Sequence, residues 1–208
     1  MIPLARVVLA SASPRRLEIL RSLGLEVDVQ PSRYGEPADP AATPLDLAAR
    51  HAREKARDVS RSFRSDIVVA ADTVVDLDGL TLGKPREAAE AAAMLRMLSG
   101  RRHLVHTAYC IINGGDVAVE EACSTAVSFF ALSEPEITEY VATGEPMDKA
   151  GAYGIQGRAA ALVERIDGDF YTVMGFPLAR FVRALRRLGF ALPATKNVRH
   201  PTSCLEPQ

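Results

Sequence analysis

The chain has 208 residues, 48% hydrophobic and 25% charged, with a formal net charge of −1. That apolar share supports a packed core and excludes wholesale disorder, and the mixed, near-neutral charge excludes the basic surplus of a nucleic-acid or membrane-surface binder. Cys110, Cys123 and Cys204 are scattered without a CxxC pair, so neither a disulfide framework nor a zinc knuckle is indicated.

The opening residues, Met1-Ile2-Pro3-Leu4, run straight into an apolar stretch and show no leader, and no segment reaches bilayer length. A reducing cytoplasm is the expected compartment. Val7 to Ala10 reads as a buried strand, and Ser11-Ala12-Ser13-Pro14 turns it into a helix. Ser13 suits the N-cap and Pro14 the first helical position. Leu17, Leu20 and Leu23 share one helix face, and Gly24 supplies the stop. Free N–H groups at such a helix start favour an anion, and Arg15 and Arg16 add forked donors that match phosphate oxygens. The other reading is an ordinary βα unit with two solvated arginines.

Leu25 to Val29 alternates like a short strand, and a turn-rich segment from Pro31 to Pro40 carries Glu36. Thr43-Pro44 opens a second helix with an apolar stripe of Ala48, Ala49, Ala52, Ala56 and Val59. Its other face, with Arg50, Arg53, Glu54, Lys55 and Arg57, reads as solvated charge. Asp66 to Val75 is the most apolar strand, which suits a strand covered on both faces. A carboxylate embedded there, Asp72, needs a partner. Asp78-Gly79 signals a hairpin, and Gly83-Lys84-Pro85 holds Lys84 as a phosphate ligand or a plain hairpin-end lysine.

Arg86 to Leu98 is expected as a helix, then Leu104 to Asn113 and Val117 to Leu132 as strands joined at Gly114-Gly115. His103 and His106, three apart in a strand, face opposite sides, which argues against a shared metal. Ser133 to Glu136 forms a capping box for a helix ending at Gly144. The stretch from Glu145 to Gly157 combines three glycines with Asp148, Lys149 and Gln156, a loop whose backbone approaches a ligand or another loop. Ala161 to Ile166 and Phe170 to Met174 are expected as a last strand pair, and Phe176 to Leu188 as the final helix. Residues 1–192 form one expected domain and 193–208 a flexible tail.

Ser11-Ala12-Ser13-Pro14-Arg15-Arg16, Ala71-Asp72-Thr73, Gly83-Lys84-Pro85, Ser99-Gly100, Asp148 to Gly157 and Val173 to Pro177 stand in the order seen in the Maf family, which the chain resembles from Val7 to about Leu188. These are nucleoside triphosphate pyrophosphatases that are also linked to septum formation. The resemblance implies an α/β fold related to the inosine triphosphate pyrophosphatases, with a central mixed, bent sheet, a cleft between two lobes, and a homodimer. It places Ser11, Ser13, Arg15 and Arg16 on the triphosphate. Asp72 becomes the proton acceptor, and Glu36, Lys55 and Lys84 lie around phosphates and metal. Asp72 and Glu36 are the implied ligands of a divalent cation, Mg²⁺ or Mn²⁺. Family members often carry a second acid just before the Glu36 position, where this chain has Gly35.

Cleavage between the α- and β-phosphates needs water at the α-phosphorus and charge stabilisation on the departing pyrophosphate, and these residue types supply both. By resemblance the family divides into a dTTP/UTP type and a 7-methyl-GTP type, with an arginine, a threonine and a glutamine marking the first. Arg15, Thr73 and Gln156 match all three. A glutamine amide can donate to O4 and accept from N3–H of uracil or thymine. Modified pyrimidine nucleotides stay open as substrates. A nucleotide-binding regulator of septum formation without turnover is the alternative, but its mark, loss of Asp72 or Lys84, is absent. A nucleic-acid-binding module is disfavoured by the charge and the lack of tryptophan.

Overall fold

The computed structural model describes every residue except Pro40 and 194–208, so Cys204 and nearly all of the expected tail lie outside it. The strands are β1 (Ile2–Pro3), β2 (Arg6–Leu9), β3 (Glu26–Val29), β4 (Ile67–Leu77), β5 (Leu80–Leu82), β6 (Arg102–Asn113), β7 (Asp116–Phe129), β8 (Val163–Asp167) and β9 (Phe190–Ala191). The helices are α1 (Pro14–Ser22), α2 (Pro44–Ser60), α3 (Ala88–Leu98), α4 (Glu134–Ala142), α5 (Phe170–Met174) and α6 (Leu178–Arg187). The main sheet runs β3-β2-β4-β6-β7-β8, with β5 beside the far end of β4. β2 is parallel to β3 and β4, and every other pairing in it is antiparallel, so the sheet is mixed as expected.

Three apolar clusters explain how helices cover this sheet. Ala48, Ala52 and Ala56 of α2 lie on Val8, Val68, Ala70 and Cys110. Small residues let that helix approach the strands closely. On the opposite face, Ile19 and Leu20 of α1 and Phe181, Ala184 and Leu185 of α6 pack around Leu9, Val69 and Tyr109. The third cluster sits at the other end of β4, where Val75 and Leu77 meet Leu95, Leu98, Phe129, Ile137 and Tyr153. Asp72 and Thr73 fall between the clusters, at the waist of the long strand.

Several local expectations need correction. Phe170 to Met174 is helical and not a strand. Its β-prone residues are overruled because the Asp169 carboxylate accepts from the Thr172 N–H at 2.7 Å and caps a turn. β8 finds its partner in β7 instead. α3 starts at Ala88 and not Arg86, because the Arg86 N–H donates to Glu90 Oε2 at 2.7 Å, outside the helix. α6 starts at Leu178, since Gly175 at φ +106 ends α5 and Pro177 occupies the cap. Residues 157–162 form 3₁₀ turns before β8.

The capping box at Ser133 and Glu136 is present. His103 and His106 have separate partners, Tyr153 for the first and Asp76 with Ser124 for the second. Burial pushes the His103 imidazole down to about 4 and the Cys110 thiol up to about 12, so both are uncharged at neutral pH. Cys110 and Cys123 are free thiols. Among the described residues no helix is long and apolar enough to cross a membrane.

Candidate active site

β2 ends at Leu9, whereas β4 continues past it, so the β2–α1 turn opens against the side of β4. A cleft of about 610 Å³ lies there, and all ten residues singled out by sequence line it: Ser11, Ser13, Arg15, Arg16, Glu36, Lys55, Asp72, Thr73, Lys84 and Gln156. Ligand clefts outside the carboxyl ends of parallel strands follow the same topological logic.

Lys55 is the centre of the charge arrangement. It projects from the buried side of α2, so reading it as part of a solvated face is corrected: its side chain is 11% exposed. Its ammonium lies 2.6 Å from Asp72 Oδ1 and 2.6 Å from Glu36 Oε1. The embedded carboxylate of β4 thus has the partner that burial requires. Burial would raise the Glu36 carboxyl, but the Lys55 hydrogen bond and charge, with His51 and Lys84, hold it below its ordinary value. Glu36 also adopts φ +49 just before Pro37, a left-handed conformation that a non-glycine residue takes only when its surroundings impose it.

The first turn is wired differently from the cap expected of it. Ser13 has the backbone of an N-cap, φ −72 and ψ 117, but its hydroxyl makes no cap bond. Ser11 Oγ accepts instead, from the Ser13 N–H at 3.2 Å and from Arg16 Nη1 at 3.1 Å. Arg16 also donates from Nε to the Gly175 carbonyl at 2.9 Å and from Nη2 to Thr73 Oγ1 at 3.1 Å. Three of its five N–H groups are therefore held by protein and two remain. A side chain at Gly175 would come within 3.2 Å of Thr73 Oγ1. Burial lowers the Arg16 guanidinium, Asp72 partly offsets this, and the group stays charged.

Behind Arg16 the hydroxyls are ordered by chemistry alone. Thr107 Oγ1 donates to the Thr172 carbonyl at 2.7 Å, so its one proton is used. Thr73 Oγ1, 2.9 Å away, must then donate to Thr107, while it accepts from Arg16. Across the cleft Arg15 Nη1 donates to Asp148 Oδ2 at 3.2 Å, and Lys149 Nζ donates to the other oxygen of that carboxylate at 2.5 Å. Lys84 and Gln156 are exposed in the cleft, and among the described residues neither has a side-chain hydrogen bond or ion pair.

Tyr34 and His51 also line the cleft and were not foreseen. His51 Nδ1 and the Tyr34 hydroxyl are 3.2 Å apart, and burial lowers the imidazole, with Asp72 and Glu36 opposing. His51 lies one helical turn before Lys55, and that i, i+4 spacing was the signal available. Among the described residues no group of three or more His, Cys, Asp or Glu is placed to hold a metal by itself. Asp72 and Glu36 converge on one cation, the donor set a hard divalent ion uses when substrate phosphates and water complete its shell.

A βα turn, clustered cations and paired acids in one cleft of an α/β sheet define a protein built to handle a phosphorylated small molecule. The chain belongs to the Maf family: residues 6–188 match its model, described as Maf-like protein. A dTTP/UTP pyrophosphatase of Anaeromyxobacter dehalogenans is 49% identical over 191 residues, covering 90% of this chain and 96% of the relative. A dTTP/UTP pyrophosphatase of Symbiobacterium thermophilum is 49% identical over 189 residues, with the same coverage. Among solved structures, a HAM1 protein from Coxiella burnetii aligns at a TM-score of 0.48 and 17% identity, covering 88% of this chain and 100% of that one.

Proposed function

We propose that this chain hydrolyses dTTP and UTP to the nucleoside monophosphate and pyrophosphate. The observation that carries the reading is the Lys55 ammonium held 2.6 Å from both Asp72 and Glu36, in a cleft shared with Arg15, Arg16 and Lys84. The names of the relatives that are 49% identical to it support the same substrates.

Asp72 Oδ1 is held by Lys55, which leaves Oδ2 to orient a water and take its proton. That water attacks the α-phosphorus. The bond from this phosphorus to the bridging oxygen breaks, and the electron pair leaves with pyrophosphate. Lys55, Lys84, Arg15 and the two remaining N–H groups of Arg16 neutralise the charge that collects on the leaving group. No covalent intermediate is required. Ser11 and Ser13 line the first turn beside those phosphates. Asp72 and Glu36 would hold a divalent cation, Mg²⁺ or Mn²⁺, together with phosphate oxygens. When bound, such a cation would supply further stabilisation of the charge on the phosphates. Arg15, Thr73 and Gln156 set the preference for a pyrimidine. Residues 1–192 act as one domain, and a homodimer in the cytoplasm completes the reading.

The test is pyrophosphate release from dTTP, UTP, CTP, dGTP and 7-methyl-GTP with Mg²⁺ or Mn²⁺, beside Asp72→Asn. Metal-dependent release from dTTP and UTP that the variant loses is the expected result. Release confined to 7-methyl-GTP overturns the roles of Arg15, Thr73 and Gln156, and binding without release across the panel replaces the enzyme with a regulator.

A further inference from the structure

One edge of β4 is covered at both ends and bare between them. β2 pairs with it at Val68 and Val69, and the last bond there runs from the Ala10 N–H to the Val69 carbonyl at 2.8 Å. β5 pairs only from Val75 to Leu77. On the opposite edge β6 follows β4 without a break from Ile67 to Asp76. Among the described residues, 70–74 therefore have no strand partner on the cleft side.

The hairpin decides which residues address that bare edge. In an antiparallel ladder, residues alternate between those that exchange both bonds with a given neighbour and those that exchange none. The two-residue turn at Asp78-Gly79 makes Leu77 and Leu80 a bonded pair, so odd-numbered residues of β4 face this edge and even-numbered ones face β6. Val69, bonded to Ala10, obeys the same parity. Ala71 is fully buried and Val75 is taken by β5, which leaves Thr73, half-buried, with its N–H and C=O turned to the cleft.

A second observation agrees. Asp72, Thr73, Val74 and Val75 line the cleft in succession. Side chains alternate between faces along a strand, so four consecutive residues meet one cleft only where it runs along the strand's edge.

We propose that the Thr73 main chain is a reading edge for the base, with its N–H donating to a ring carbonyl and its C=O accepting from the adjacent ring N–H. In an extended residue these two groups lie side by side and point the same way, as a sheet edge presents them to an added strand. Their complement is a ligand group carrying N–H next to C=O, which uracil and thymine possess. A phosphate only accepts and leaves the Thr73 carbonyl unpaired in the cleft, a costly outcome. The inference rests on the pyrimidine-nucleotide reading and deepens it. Gln156 then keeps the second ring carbonyl, through its amide N–H, and gives up the ring N–H.

The test is residue-resolved amide exchange by NMR on the full chain. In the free protein the Thr73 amide exchanges faster than those of Asp72 and Val74, which are bonded to β6. Non-hydrolysable α,β-imido-UTP slows Thr73 exchange by about tenfold or more, and its N3-methyl counterpart binds about tenfold more weakly without slowing it. Inorganic tripolyphosphate leaves Thr73 exchange unchanged. A Thr73 amide already slow in the free protein, or slowed equally by tripolyphosphate, overturns the inference. If α,β-imido-UTP binds and Thr73 does not respond, this inference falls and the functional reading stands. If the uridine analogue does not bind at all, the two fall together.

Discussion

The Lys55 ammonium neutralises two carboxylates at once, and the pH dependence of stability follows from that. Glu36 is held below its ordinary value, so its contribution is fully present above the unfolded carboxyl pKa and is lost as pH falls through the lower folded value. Lys55→Met strands both acids, and breaking a largely buried pair in this way costs about 3 kcal/mol at neutral pH. Below about pH 4.3, where an unfolded glutamate protonates, the gap between wild type and variant narrows. Urea unfolding of both proteins at neutral and acid pH measures it. A gap that stays constant across that window would show that the ammonium is not what stabilises the acids. Turnover by the variant is lost at every pH, because Asp72 loses the contact that fixes its carboxylate.

At the scale of elements, α5 is a short helix with a long reach. Its Thr172 carbonyl receives the Thr107 hydroxyl, and Gly175, just past its end, receives Arg16 Nε. The helix itself depends on Asp169, whose carboxylate takes both the N–H and the hydroxyl of Thr172, at 2.7 and 2.8 Å. Asp169→Ala should cost about 1–2 kcal/mol and lower kcat/KM as the acceptors around Arg16 shift. Asp169→Asn, which retains an accepting oxygen, should recover part of each, so urea midpoints and turnover must move together. The loop at 145–157 gives a second case. Gly151 has φ +68, and a Cβ there would lie 2.8 Å from Val75 Cγ2 in the core. Gly151→Ala therefore destabilises by about 2 kcal/mol, readable as a lower unfolding midpoint.

These elements also show what sequence could and could not reveal. The β2–α1 turn and the Asp78-Gly79 hairpin were legible because local turn chemistry fixes them. α5 was not, because Phe-Tyr-Thr-Val-Met has strand composition and only the Asp169 cap, together with β8's pairing to β7, decides against it. Lys55 was misread from periodicity because α2 turns a charged residue inward toward Asp72, 17 positions away, and only the resemblance assigned it a role. Thr107 gave no signal at all, since its role lies in a hydrogen-bond direction set by three other residues.

Across the whole molecule, the near-zero net charge conceals a local surplus. Arg15, Arg16, Lys55, Lys84 and Lys149 line one cleft, against Glu36, Asp72 and Asp148. A triphosphate is drawn to that surplus rather than to the protein's overall field, so the attraction acts at short range and screens with salt. The Arg15–Asp148 pair links segments 133 residues apart across the cleft, but the Asp148 side chain is 60% exposed. Such a pair contributes less than about 1 kcal/mol and does not lock the cleft. On the proposed reading of Arg15 as a phosphate ligand, Asp148 is an anion that occupies it until phosphate displaces it. Asp148→Ala should therefore leave the unfolding free energy within about 1 kcal/mol of wild type and lower KM at low salt. Raising ionic strength from about 0.05 to 0.5 M should raise KM several-fold in wild type while kcat changes little, because screening weakens the encounter more than it weakens contacts formed once the substrate is seated in the cleft. An equal fall in kcat would mean that salt screens the cations at the transition state as well as during capture, and an unchanged KM for Asp148→Ala would then show that Arg15 stabilises the leaving pyrophosphate without taking part in capture.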